Sequence, residues 1–265
     1  MKVSIVKYNA GNIFSVINAV KRLGIEPLLT DDKEELLTSD RVIFPGQGEA
    51  SHAMEYLRAR GLDEVIRNLR QPVLGICIGQ QLLCRHSEEG DTDCIGVFPM
   101  DVKRFVPTRH EDKIPQMGWN ELRFNVNGNG CQRPLAPSSL RGGVDYGNGC
   151  QRPLTPSSLR GGVDYGNGCQ RPLAPSSLRG GVDYGKANGN VSPLFRGLSD
   201  GDFVYFVHSY YVPLHEEYTI AQTHFTLDYS AAIQKDNFFA TQFHPEKSGR
   251  VGERILRNFM EVKSE

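Results

Sequence analysis

Short apolar runs alternate with amphipathic stretches along the first third of the chain. Residues 3–8 form an apolar run that predicts a buried strand. Residues 12–23 follow with helical spacing: Ile13, Val16, Ile17, Val20 and Leu23 fall on one face, and Gly24 sits where a helix C-terminus favours glycine. Runs at 27–30, 40–45 and 72–76 predict further strands, with helical stretches at 52–60 and 62–69. Strands alternating with helices of this length predict a parallel sheet covered on both faces. After Cys94 the texture changes. Runs at 97–105, 117–124, 203–212, 218–224, 231–234 and 238–243 are strand-like and separated by turns, which predicts antiparallel pairing. An amphipathic helix is expected over 252–262. The predicted fold class is α/β: an open, mostly parallel sheet flanked by helices, with an antiparallel extension.

Residues 129–185 stand outside that pattern. The sequence NGCQRPLAPSSLRGGVDYG at 129–147 recurs at 148–166 and 167–185, and Thr155 in place of Ala136 and Ala174 is the sole difference. Cys131, Cys150 and Cys169 mark the period. A period near 20 residues raises a solenoid, but solenoids have atypical end copies and a regular apolar stripe. Each copy here holds two prolines, several glycines and paired serines, the composition of a linker. The stretch reads as a recent tandem duplication, a surface insertion with little stable structure. Two arginines and one aspartate per copy add too little positive charge for a nucleic-acid arm. The expected organisation is a single domain over 1–265, interrupted at 129–185.

Composition narrows the function classes. The 265 residues carry a formal net charge of −1, so bulk charge points to neither nucleic acid nor a membrane surface. No apolar run approaches the ~20 residues of a membrane helix. The start, MKVSIV, lacks the features of a signal peptide, and a cytoplasmic location is expected. The six cysteines show no zinc-site spacing, so neither metal nor cofactor is expected. In a reducing compartment they are free thiols unless one is catalytic.

One cysteine has the surroundings of a nucleophile. Gly75-Ile76-Cys77-Ile78-Gly79 joins a predicted strand to a helix. A glycine-flanked turn of this kind presents its central residue at a sharp, strained bend. The following helix aims free N–H groups and its positive end at the sulfur, and the Ile78 N–H is placed to help hold an oxyanion. Cys84 and Cys94 lack such flanks and read as buried structural thiols. Far along the chain stands Phe243-His244-Pro245-Glu246-Lys247, after a predicted strand. In an extended segment residues i and i+2 point the same way, so His244 and Glu246 are expected as neighbours, with Pro245 keeping the backbone extended. A carboxylate beside an imidazole orients the ring and stabilises it once protonated. Cys77, His244 and Glu246 together make the Cys–His–carboxylate set of a thiol acyl-transfer enzyme.

GICIGQQ and FHPEKS resemble the motifs of the class I, triad-type glutamine amidotransferases. The resemblance covers the chain apart from 129–185. YNAGNIFSV, FPGQGEA, PQMGWNEL and YFVHSYYV are similar to the branch of that family serving histidine biosynthesis, glutaminase subunits that form heterodimers with a (β/α)8-barrel cyclase subunit. The resemblance implies glutamine as substrate, attacked by Cys77, with His244 relaying the proton and Glu246 holding His244. It implies an oxyanion hole from backbone groups of Gly46, Gln47, Gly48 and Ile78, misaligned until the partner binds its own substrate. Gln81 and the backbone of Ser209 and Tyr210 match positions that hold glutamine. Asn12, Trp119 and Lys247 match positions at the cyclase interface. Two features depart from the family: Tyr8-Asn9-Ala10 replaces the usual Asp-Tyr-Gly-Ala lead-in, and the repeats match nothing in it. The alternatives are an amidotransferase subunit of another pathway, a non-catalytic homologue, and a thiol hydrolase of γ-glutamyl chains that needs no partner.

Overall fold

The computed structural model describes residues 1–8, 13–46, 48–124 and 192–263. The repeats at 129–185 lie outside the described residues. The main sheet is built from β1 (Val3–Val6), β2 (Leu28–Thr30), β3 (Arg41–Phe44) and β4 (Val73–Ile76), interleaved with α1 (Ile13–Arg22), α2 (Lys33–Leu37), α3 (Ala50–Ala59) and α4 (Leu62–Arg67). After α5 (Ile78–Leu83) come the short strands β5 (His86–Ser87), β6 (Thr92–Asp93) and β7 (Asp101–Arg104). Then follow β8 (Gln116–Glu121), β9 (Arg123–Phe124), β10 (Phe203–His208), β11 (Tyr210–Tyr211), β12 (Thr219–His224), β13 (Asp228–Lys235) and β14 (Phe238–Thr241), with α6 (Gly249–Met260) last.

The eight-stranded sheet has the order β2-β1-β3-β4-β14-β13-β12-β9. Its pairs from β2 to β14 are parallel, and those from β14 to β9 are antiparallel. This is the expected open sheet with its antiparallel extension. β1, β3, β4 and β14 are buried at every position, which is why they read as continuous apolar runs. Alternate residues feed two cores. Val42, Phe44 and Val73 pack with Leu57, Leu62, Ile66 and Leu82 from α3, α4 and α5. Ile43, Leu74 and Phe239 pack with Val16, Val20, Ile255 and Phe259 from α1 and α6. Among the described residues, no helix is long and apolar enough to cross a membrane.

The antiparallel half departs from the expectation in its connections. The run at 117–124 is not one strand: β8 pairs with β10 in a separate ribbon, while β9 joins the main sheet beside β12. Leu122 is the joint, its N–H bonded to the Asp202 carbonyl and its own carbonyl to the Gly201 N–H. The run at 203–212 likewise splits at Ser209, because β11 leaves the ribbon to pair with β7. The run at 97–105 is a strand only over Asp101–Arg104.

Candidate active site

β4 and β14 lie side by side with Ile76 opposite Thr241, so the chain leaves both strands at the same edge of the sheet. There the Cys77 N–H donates to the Thr241 carbonyl at 2.7 Å, and Cys77 takes φ +55°, a left-handed conformation unusual for a residue with a side chain. This is the predicted bend, with α5 starting at the next residue. The flanking glycines have a steric reason. A Cβ on Gly79 would overlap the Phe44 carbonyl oxygen at the end of β3, and one on Gly75 would sit 3.0 Å from the Gly79 backbone. The glycine-rich end of β3 therefore meets the Cys77 turn.

His244 lies just beyond β14. Its N–H donates to the Tyr205 carbonyl at 2.9 Å, and its carbonyl accepts the Ser248 hydroxyl at 2.6 Å. Nδ1 donates to Glu246 Oε1 at 2.8 Å, with both side chains at most 2% exposed. The pair is adjacent for a different reason from the one the sequence suggested. Pro245–Lys247 is a 3-10 turn rather than an extended segment, and the turn folds the carboxylate back onto the ring. The other nitrogen, Nε2, is buried with no partner at bonding geometry. Burial works against a charged ring here, but the Cys77 sulfur and the Glu246 carboxylate outweigh it, and the His244 pKa rises to about 10. The ring therefore holds a proton at neutral pH.

A cleft of about 470 Å³ opens at Cys77 and His244. Gly48, Ile78, Gln81, Ser209 and Tyr210, all expected to bind substrate, line it together with Lys247, which was expected at the cyclase interface. Gly46 lies behind, against Ile78 and the Tyr8 hydroxyl. Gln47 and Asn12 lie outside the described residues. Trp119 does not line the cleft. It stacks edge-on at 6.0 Å against Tyr205, which does. Cys84 and Cys94 are buried, and burial pushes both thiols up, Cys94 to about 12.

Three residues at or beside the cleft were not singled out from the sequence, although His208 lies within the YFVHSYYV block. Glu89 is the one acidic side chain among the described residues lining the cleft. It accepts the Ala50 N–H at 2.9 Å, and partial burial holds its carboxyl above the usual range. Gln242 is fully buried, with Nε2 3.8 Å from the Cys77 sulfur and Oε1 3.0 Å from Gln81 Nε2. His208 forms part of the wall. Among the described residues no group of His, Cys, Asp and Glu is arranged to hold a metal ion.

A glycine-flanked cysteine, a carboxylate-held histidine and a cleft sized for a small polar molecule can carry out acyl transfer on an amide. The comparisons agree with this chemistry. The family described as glutamine amidotransferase class-I matches residues 171–262, and the CobB/CobQ-like glutamine amidotransferase domain matches 2–110. Imidazole glycerol phosphate synthase subunit HisH of Bacteroides thetaiotaomicron is 47% identical over 262 residues, covering 99% of this chain and 100% of the relative. The HisH subunit of Idiomarina loihiensis is 35% identical, covering 99% of this chain and 98% of its own. Among solved structures, a putative GMP synthase protein from Thermoplasma acidophilum has a TM-score of 0.59 at 16% identity, covering 98% of this chain and 93% of its own. PurLQS from Thermotoga maritima has a TM-score of 0.56 at 13% identity, covering 98% and 97%. These last two likenesses speak for the fold, whereas the HisH identities extend over the whole chain. The chain belongs to the class I glutamine amidotransferases, in the family of HisH subunits of imidazole glycerol phosphate synthase.

Proposed function

We propose that this chain hydrolyses glutamine to glutamate and ammonia, in the cytoplasm, and passes the ammonia to a (β/α)8-barrel cyclase subunit of histidine biosynthesis. Cys77, its thiol proton passed to His244, attacks the side-chain amide carbon. His244 gives its proton to the departing ammonia, and Glu246 keeps its ring oriented through Nδ1. Water then attacks the thioester, His244 takes a proton from it, and glutamate leaves with Cys77 restored. The Ile78 N–H and the backbone from Gly46 to Gly48 stabilise the oxyanion of each tetrahedral step. Gln81 and the Ser209–Tyr210 backbone hold the substrate. Glu89 pairs with its α-ammonium, a charge that would offset the cost of the partly buried carboxylate.

The observation that carries this reading is the Cys77 bend facing His244, whose other nitrogen is held 2.8 Å from Glu246. The partner is read from the outer face of the β8–β10 ribbon. Met117 and Phe203 are exposed there, beside half-buried Trp119 and Tyr205. An apolar ribbon face next to a cleft mouth suits a protein partner. One amidotransferase domain, on this reading, carries the repeats of 129–185 as an insertion. The test is glutamate release with a cyclase subunit and its nucleotide ligand present. Wild type should exceed Cys77→Ala by at least about a thousandfold. A wild type no faster than that variant would sink the proposal.

A further inference from the structure

His208 closes β10 within the cleft wall and is 6% exposed. Its Nδ1 lies 2.7 Å from the Tyr210 carbonyl oxygen and its Nε2 3.1 Å from the Tyr229 hydroxyl. A carbonyl can only accept, so Nδ1 carries a proton. Burial, helped by the nearby His244 and opposed by the Tyr210 carbonyl, lowers the His208 pKa to about 4. The ring is therefore neutral at physiological pH, and Nε2 is an acceptor. The fully buried Tyr229 is the donor that keeps it so. Tyr229 also lies 2.8 Å from Gln116 Oε1. One hydroxyl proton cannot serve two acceptors, and a half-turn of the Gln116 amide turns an N–H toward Tyr229 instead. Each atom of the chain then has a defined role.

The Tyr210 carbonyl has a second donor, Gln81 Nε2 at 3.1 Å. The adjoining Ser209 carbonyl accepts the Phe105 N–H at 3.0 Å. Both carbonyls of this cleft-lining segment are thus held by named donors. His208 supplies the shortest of these bonds, and Tyr229 fixes the tautomer that makes it possible. If His208 carried its proton on Nε2, Nδ1 and the Tyr210 oxygen would face each other as two acceptors, and the segment would have to move.

We propose that His208 is a positioning residue for glutamine: its Nδ1–H, set by Tyr229, locks the Tyr210 carbonyl and so fixes the Ser209–Tyr210 backbone against which the substrate binds. This rests on the glutaminase reading above. Two variants separate a donor from a space-filling ring. His208→Asn can place an amide N–H where Nδ1–H stands. His208→Gln reaches toward the Nε2 position and leaves the Tyr210 carbonyl without that donor. Each removes the ring, so a loss from packing alone falls on both.

The experiment is steady-state glutamate release by the complex with the cyclase subunit, and glutamine binding measured calorimetrically on the same variants in a Cys77→Ala background. His208→Gln should raise KM and weaken binding about tenfold with kcat within about twofold of wild type. His208→Asn should restore KM to within about threefold. Equal KM shifts in the two variants, a loss confined to kcat, or no shift in either would overturn the proposal. A wild type no faster than Cys77→Ala would instead overturn the glutaminase reading, and this inference with it.

Discussion

The buried His208 also sets a stability difference whose size follows from its environment. In an unfolded chain an imidazole titrates near 6.5, whereas in the fold His208 titrates at about 4. The folded pKa is depressed, so the stability it contributes is complete above about pH 6.5 and is lost as pH falls toward 4. Across that window the unfolded chain takes up a proton that the folded one refuses. Between pH 7.5 and 4.5 the loss comes to roughly 2–3 kcal/mol at about 1.36 kcal/mol per pH unit. No discount for solvent applies, because the ring is buried. That is a sizeable share of the roughly 5–15 kcal/mol of a typical domain. Other groups titrate in the same range, so the measurement is a double difference. Urea unfolding of wild type and His208→Asn is followed at both pH values. Wild type should lose roughly 2–3 kcal/mol more than the variant between them. The cost of the substitution itself cancels. Losses equal within about 0.5 kcal/mol would mean that His208 is not held neutral, and the tautomer argument would fail with it.

Three further outcomes follow. Gly79→Ala drives a Cβ into the Phe44 carbonyl oxygen; a clash with backbone should cost about 2 kcal/mol and lower the thermal midpoint by roughly 4–8 °C, and an unchanged midpoint would contradict the close approach. Glu246→Gln keeps an oxygen for His244 Nδ1 but removes the charge that helps raise its pKa to about 10. Glutamate release should fall by at least about a hundredfold, with the alkaline limb of its pH profile moved to lower pH; an unmoved limb would separate Glu246 from the titration. Removing 129–185 should leave the amidotransferase domain folded and coupled, because closure entropy grows slowly with loop length and the flanking Phe124 and Phe195 rings stand 4.8 Å apart. A large gain in partner affinity on removal would show instead that the repeats obstruct docking.

The parallel half of the fold was legible because its strands are buried on both faces and its helices on one. β3, expected at 40–45, runs from Arg41 to Phe44, and α1, expected at 12–23, from Ile13 to Arg22. The antiparallel half was legible as strands but not as pairings. An apolar run records that a segment is extended, not which neighbour it joins. Nothing in the runs at 117–124 and 203–212 marks Leu122 and Ser209 as the points where the chain changes partners. The meeting of Cys77, His244 and Glu246 was legible for a mixed reason. The glycines around Cys77 answer a real steric demand, whereas His244 and Glu246 meet through a 3-10 turn that i, i+2 spacing in a strand does not describe. Glu89 reaches the cleft only through tertiary packing, and its local sequence resembles any acidic loop; His208 stands within the YFVHSYYV block, but nothing in that block marks the imidazole as part of the cleft wall.

The Ser209 switch ties the proposed chemistry to the proposed partner. By leaving the ribbon after His208, the chain places Ser209 and Tyr210 in the cleft wall, while the ribbon keeps its inward side, Phe206 and His208, against the core. Its other side carries Met117, Trp119 and Tyr205. Tyr205 belongs to both settings: it packs on Trp119, lines the cleft, and accepts the His244 N–H on its carbonyl. A partner seated on the outer face would press on Tyr205, and through it on the backbone of His244. It would also cover the cleft mouth where Lys247 lies. One binding event could then align the site and close the route by which ammonia escapes to water. On this geometry the outer face cannot be altered without consequence for the cleft. Trp119→Ala should weaken the partner's stimulation of glutamate release more than it lowers the unstimulated rate, and an equal loss in both would show that Trp119 acts on the fold alone.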